Sequence, residues 1–160
     1  MGPIIGRTTL LLLFGLWWGG LTFYSAIVVP ISAERIGATE QGFVTRDVAL
    51  WLNSLGTLFA LALAAAAWRR RRREALACAM LLAALLVFLA VLHARLDAML
   101  DDQTSSLAVE SAVFYRWHRV YLVGTTVQWC LGLWAAVELV GVQFAPRELG
   151  SSVVDRSCKT

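Results

Sequence analysis

Two histidines, His93 and His118, are the side chains in this sequence best suited to chemistry. An imidazole can coordinate a metal, serve as an axial ligand to haem iron or carry a proton near neutral pH. Asp97 and Asp101 follow His93 at steps of four residues. On a helix that continued that far they would share its face, where a carboxylate can orient an imidazole or bind the metal itself. His118, Tyr121, Thr125, Gln128 and Gly132 recur at spacings of three, four, three and four, which is one side of a helix. Asn53 and Thr57 form a polar pair with the same periodicity, and Thr22, Tyr24 and Ser25 fall at a similar depth. Polar groups avoid lipid, so these faces are expected to turn inward and line a small pocket of Asn53, Thr57, His118, Tyr121 and Gln128, with His93 near its mouth.

The same residues have plainer readings. There is no HExxH or CxxC spacing, so the two histidines also fit ordinary polar residues at a membrane surface, and the metal they would take is undefined. Arg95 and Arg119 are close enough in sequence to pair with the carboxylates. No catalytic residue is assigned.

The elements that must hold these groups are four long apolar runs. Hydrophobic residues make up 59% of the 160 positions and charged ones 16%, against about 25% charged in soluble domains. The runs cover about residues 8–30, 48–68, 75–96 and 120–142, each long enough for a hydrocarbon core that needs about 20 residues. Backbone groups in lipid must be satisfied within the segment, so the expected fold is all-α, a single four-helix transmembrane bundle followed by a polar tail at 143–160. The first run could instead be a secretory signal, with Ile31-Ser32-Ala33 as a cleavage site, but it is longer than the usual signal core.

Orientation follows from Arg69, Arg70, Arg71, Arg72 and Arg73, which crowd the short connection between the second and third runs. The excess of arginine and lysine on the cytoplasmic side puts this loop inside, and both termini with it. The expected location is a multi-pass position in the cell (inner) membrane. The same block could attract anionic lipid, whereas the net charge of +3 needs no nucleic acid to explain it. Trp51, Trp68 and Trp117 fall near helix ends, where tryptophan favours the membrane interface. Cys78 and Cys130 sit in apolar runs and Cys158 in the tail, with no paired spacing.

Gly15, Gly19, Thr22 and Ala26 make a small-residue stripe on the first run, and Gly15 to Gly19 fit GxxxG. Such a stripe lets helix backbones approach closely, here within the bundle or between subunits of a homo- or hetero-oligomer. The inner half is otherwise apolar apart from Glu74 and Glu138, so no polar path crosses the membrane. The alanines Ala64 to Ala67 thin the inner end of the second helix.

Trp17-Trp18-Gly19-Gly20-Leu21-Thr22-Phe23, followed by Val28-Val29-Pro30, resembles the first helix of a bacterial four-helix membrane domain of unknown function. More distantly it resembles the CopD copper-resistance and HemJ haem-biosynthesis group, and that resemblance covers about one helix. It implies a tryptophan and paired glycines ahead of a proline-ended helix, and for HemJ-like enzymes a first-helix histidine and a membrane-embedded lysine. This chain has neither, since its only lysine is Lys159. It also lacks the Met-rich or Cys-rich ligands of a copper site. Three functions remain as expectations. The first is a non-enzymatic membrane protein, an accessory or assembly partner. The second is a haem- or metal-binding protein using His93 and His118, and the third a small transporter with an outward-facing cavity.

Overall fold

The computed structural model describes residues 2–101, 106–107 and 111–144. Four helices among them are long and apolar enough to cross a membrane: Gly6–Ile36, Glu40–Arg69, Arg73–Asp97 and Ala112–Val140. The polar tail lies outside the described residues beyond Phe144.

The first rod is one continuous right-handed path with two changes of winding. It runs through α1 (Gly2–Phe14), a π turn (Gly15–Gly19), α2 (Gly20–Phe23), a second π turn (Tyr24–Val28) and α3 (Val29–Ile36). A π turn bonds i to i+5 and holds about one residue more per turn than an α-helix, so each one resets the face that later side chains present. This explains two departures from the sequence reading. Pro30 does not end the rod, because it enters at the start of α3 directly after the second π turn, where a missing N–H is tolerated. The stripe of Gly15 and Gly19 does not pack within the bundle either: a Cβ built at either position meets nothing within 4 Å.

The rod ends at Gly37, whose φ of 95° is open to glycine and strained for other residues. Its N–H donates to the Ala33 carbonyl at 3.1 Å. Then α4 (Ala38–Arg69) begins about ten residues ahead of the expected second run. The hydropathy pattern hid those nearly three turns because Glu40, Arg46 and Asp47 interrupt it, although charge is no obstacle to a helix standing outside the hydrocarbon.

Three residues, Arg70 to Arg72, turn the chain from α4 into α5 (Arg73–Asp97). The turn closes through Arg70, Arg71 and Arg72 N–H groups donating to Ala66, Trp68 and Ala67 carbonyls. Arg71 holds the left-handed conformation at φ 54°. α5 stops at Asp97, so Asp101 does not continue the His93 face as a longer helix would have made it do. Residues Leu100–Asp101 (β1) and Ser106–Leu107 (β2) pair antiparallel, and α6 (Ser111–Phe144) completes the bundle, starting nine residues before the expected run.

The core lies toward the arginine end. Trp17, Phe59, Cys78, Leu82, Leu86, Ala135 and Leu139 form one buried apolar cluster, with Trp17 stacked on Phe59 at 5.3 Å. Glycines on α4 and α6 seat the two tryptophans of the rod. A Cβ at Gly56 would stand 2.5 Å from Trp17 Nε1, and one at Gly132 would run into the Trp18 ring. Trp18 then donates to the Trp129 carbonyl at 3.1 Å, while Trp129 donates to Thr22 Oγ1 at 2.9 Å, tying the rod to α6.

Candidate functional site

Trp51 and Trp68, each 73% exposed, lie on α4 about 26 Å apart by helix rise, close to the roughly 30 Å of a hydrocarbon core. A cavity of about 420 Å³ lies between all four helices, at the end far from the arginine loop. It is lined along its length by Leu21, Tyr24 and Val29 of the rod, Gln41, Arg46 and Asn53 of α4, His93 and Asp97 of α5, and Phe114, His118, Tyr121 and Gln128 of α6.

Of the expected pocket residues, Asn53, His93, His118, Tyr121 and Gln128 share one cavity, together with Tyr24, Ser25, Asp97 and Thr125 from the neighbouring polar positions. Asn53 Nδ2 donates to Tyr121 Oη at 3.3 Å, which fixes the two polar faces against each other. The His93 ring lies 6.3 Å from that of Tyr121, and the His118 ring stacks nearly parallel on Phe114 at 5.9 Å. Thr57 is not part of the site. It is exposed and donates instead to the Asn53 carbonyl at 2.8 Å, as hydroxyls on a helix commonly do.

The upper part is organised by residues that the sequence reading passed over. Gln41, only 3% exposed, donates through Nε2 to Tyr24 Oη at 3.2 Å and to Thr45 Oγ1 at 2.9 Å. Arg46 reaches Asp97 at 3.3 Å and Asp47 at 3.6 Å. This ion pair joins α4 to α5 across the rim and balances the one formal cation and the one formal anion of the lining. Glycine followed by a charged amphipathic stretch, Gly37 to Asp47, was the signal that a helix starts here.

At the deep end Gln128 is 1% exposed and its Nε2 has no hydrogen-bond partner. The Oε1 of Gln41 has none either. From Gln41 to Asn53 is twelve residues of α4, about 18 Å, and from Tyr121 to Gln128 seven residues of α6, about 10 Å. The site is therefore long and narrow, with Gln41 high on one wall and Gln128 at the bottom, while the unpartnered Gln41 Oε1 and Gln128 Nε2 are themselves enclosed rather than open to it. Below Gln128 the apolar cluster closes the bundle.

As to metals, the described residues hold no group of three or more His, Cys, Asp or Glu side chains that could hold a metal ion. Asp97 is already paired with Arg46. The two imidazoles both line the cavity, His93 beside Tyr121 and His118 against Phe114. At the arginine end, Cys78 Sγ approaches the Leu131 carbonyl at 3.8 Å, Cys130 is exposed, and Glu138 Oε1 accepts from Trp134 Nε1 at 3.3 Å. Glu138 forms no ion pair with the arginine block.

No protein family, curated protein or solved structure matches this chain.

Proposed function

We propose that this is a non-enzymatic multi-pass membrane protein that binds a neutral, elongated amphipathic molecule in the cavity between Gln41 and Gln128. The observation that carries the reading is the buried Gln128 amide, whose Nε2 has no partner in the fold. A buried unpaired donor costs roughly 1–3 kcal/mol, and a ligand oxygen would remove the cost once the enclosed amide turns toward the cavity that Gln128 lines. The volume of about 420 Å³ lies within the usual range of roughly 300–1,000 Å³ for small-molecule sites. Neutrality follows from the Arg46–Asp97 pair, which leaves no net formal charge in the lining. The ligand needs a polar group at its deep end, toward Gln128, and an apolar body against Leu21, Val29 and Phe114.

The orientation supporting this reading has the arginine loop and both termini in the cytoplasm and the cavity opening outward, in the cell membrane. The excess of arginine on one short loop supports it. A polar route to the other side is opposed by the apolar cluster beneath Gln128, which favours binding over transport. An accessory role in a membrane complex is compatible with such a site.

The test is extraction of protein purified in mild detergent, followed by mass spectrometry of the released small molecules. Wild-type protein should release one species at near-stoichiometric amount, and Ala49→Trp, which fills the lining, should release far less while staying monodisperse. Release of bulk lipid alone from both proteins would contradict the proposal. Haem is the second reading, favoured by two imidazoles on one cavity. It requires a Soret band that weakens in His93→Ala and in His118→Ala.

A further inference from the structure

A second cavity, of about 630 Å³, lies at the opposite end of the bundle. Its walls are the start of the rod, with Arg7, Leu10 and Leu11, and the end of α4, with Ala62, Ala65 and Ala66 leading to Arg69 and Arg70. Two features of this groove differ from an ordinary arginine-rich loop. The first is selection: Arg69 and Arg70 border it, while Arg71, Arg72 and Arg73 do not. The second is the wall: alanines take the place of bulky side chains for more than a turn of α4 leading up to Arg69 and Arg70, so that the groove beside the arginines is walled mainly by small apolar residues.

No carboxylate reaches Arg7, Arg69 or Arg70 among the described residues, where the ion pairs are those of Arg46 with Asp47 and Asp97. Guanidinium groups bind phosphate oxygens in a two-point geometry, and basic pockets between helices at a membrane surface suit anionic headgroups. An inorganic anion would satisfy the arginines but not the alanine channel. A phospholipid satisfies both, with its phosphate at the arginines and one acyl chain along Ala62, Ala65, Ala66 and Leu11.

We infer that the groove formed by Arg7, Arg69, Arg70 and the alanine wall of α4 is a specific seat for one anionic phospholipid. The site is separate from the far cavity and does not depend on what that cavity binds.

The experiment is native mass spectrometry of the full chain released from nanodiscs of phosphatidylglycerol or of phosphatidylcholine. One retained phosphatidylglycerol is expected, with little retained phosphatidylcholine. Arg69→Gln with Arg70→Gln should weaken retention roughly thirtyfold, the scale of two arginines attracting an anionic surface. Arg72→Gln with Arg73→Gln removes the same charge outside the groove and should leave retention nearly unchanged. Equal loss from both pairs would reduce the effect to general attraction and overturn the seat. Ala62→Trp, which keeps every arginine, should also lose the adduct; retention there would overturn the acyl channel. Competition by millimolar inorganic phosphate as strong as by lipid would assign the site to a free anion instead.

Discussion

At the scale of single residues, Gln128 is held at 1% exposure with an unpaired Nε2, while its equivalent on the upper wall, Gln41, is anchored through two hydrogen bonds. An apolar side chain of similar length would stabilise the ligand-free fold better. Gln128→Leu is therefore expected to raise the stability of ligand-free protein by about 1–3 kcal/mol, seen as a higher unfolding midpoint in detergent, and to lose the bound molecule. A lowered midpoint would mean that the amide is already satisfied. The glycines divide in the same concrete way. Gly56→Ala places a methyl 2.5 Å from Trp17 Nε1, inside the most tightly packed part of the core. A loss of about 1–3 kcal/mol is expected there, whereas Gly15→Ala, with open space around it, should unfold no earlier than wild type.

At the scale of elements, the four apolar helices were legible because hydropathy reports lipid contact directly. Their ends were not. The first turns of α4 and α6 carry Glu40, Arg46, Asp47, Arg116 and Arg119, and a pattern tuned to lipid stops where the helix merely leaves it. The packing face of the first rod was misjudged for another reason. The GxxxG spacing assumes a steady 100° per residue, and the π turns at Gly15–Gly19 and Tyr24–Val28 break that assumption. The site fared differently on its two sides. Tyr121, Gln128 and His118 could be grouped because α6 is regular across them, and Tyr24 could be set at their depth, whereas Gln41 and Arg46 could not, lying beyond an unrecognised helix start at Gly37. The α4–α5 connection offers a test at this scale. Arg71 occupies a left-handed conformation that costs a non-glycine residue roughly 1–2 kcal/mol, so Arg71→Gly should stabilise the hairpin by about 1 kcal/mol in a thermal melt.

At the scale of the whole molecule, the bundle is asymmetric along its axis. One end holds the packed apolar cluster and, beside two of its five arginines, a groove between the rod and α4; the other is split by a long cavity with an ion pair at its rim. The proposed orientation predicts that reporters fused after Arg73 and after Thr160 read as cytoplasmic, and reporters near Glu40 and Gln103 as external. An inverted signal at any of the four would remove the assigned membrane orientation. The central claim is narrower, that the far cavity is a binding site completed by a ligand at Gln128. The most direct measurement is an experimental structure of the protein purified with its native lipids in a nanodisc. The account predicts elongated density between Tyr24, His93 and Tyr121, ending within hydrogen-bond distance of Gln128 Nε2. A bundle in which His118, Tyr121 and Gln128 face lipid, or in which side chains fill the space between them, would contradict it.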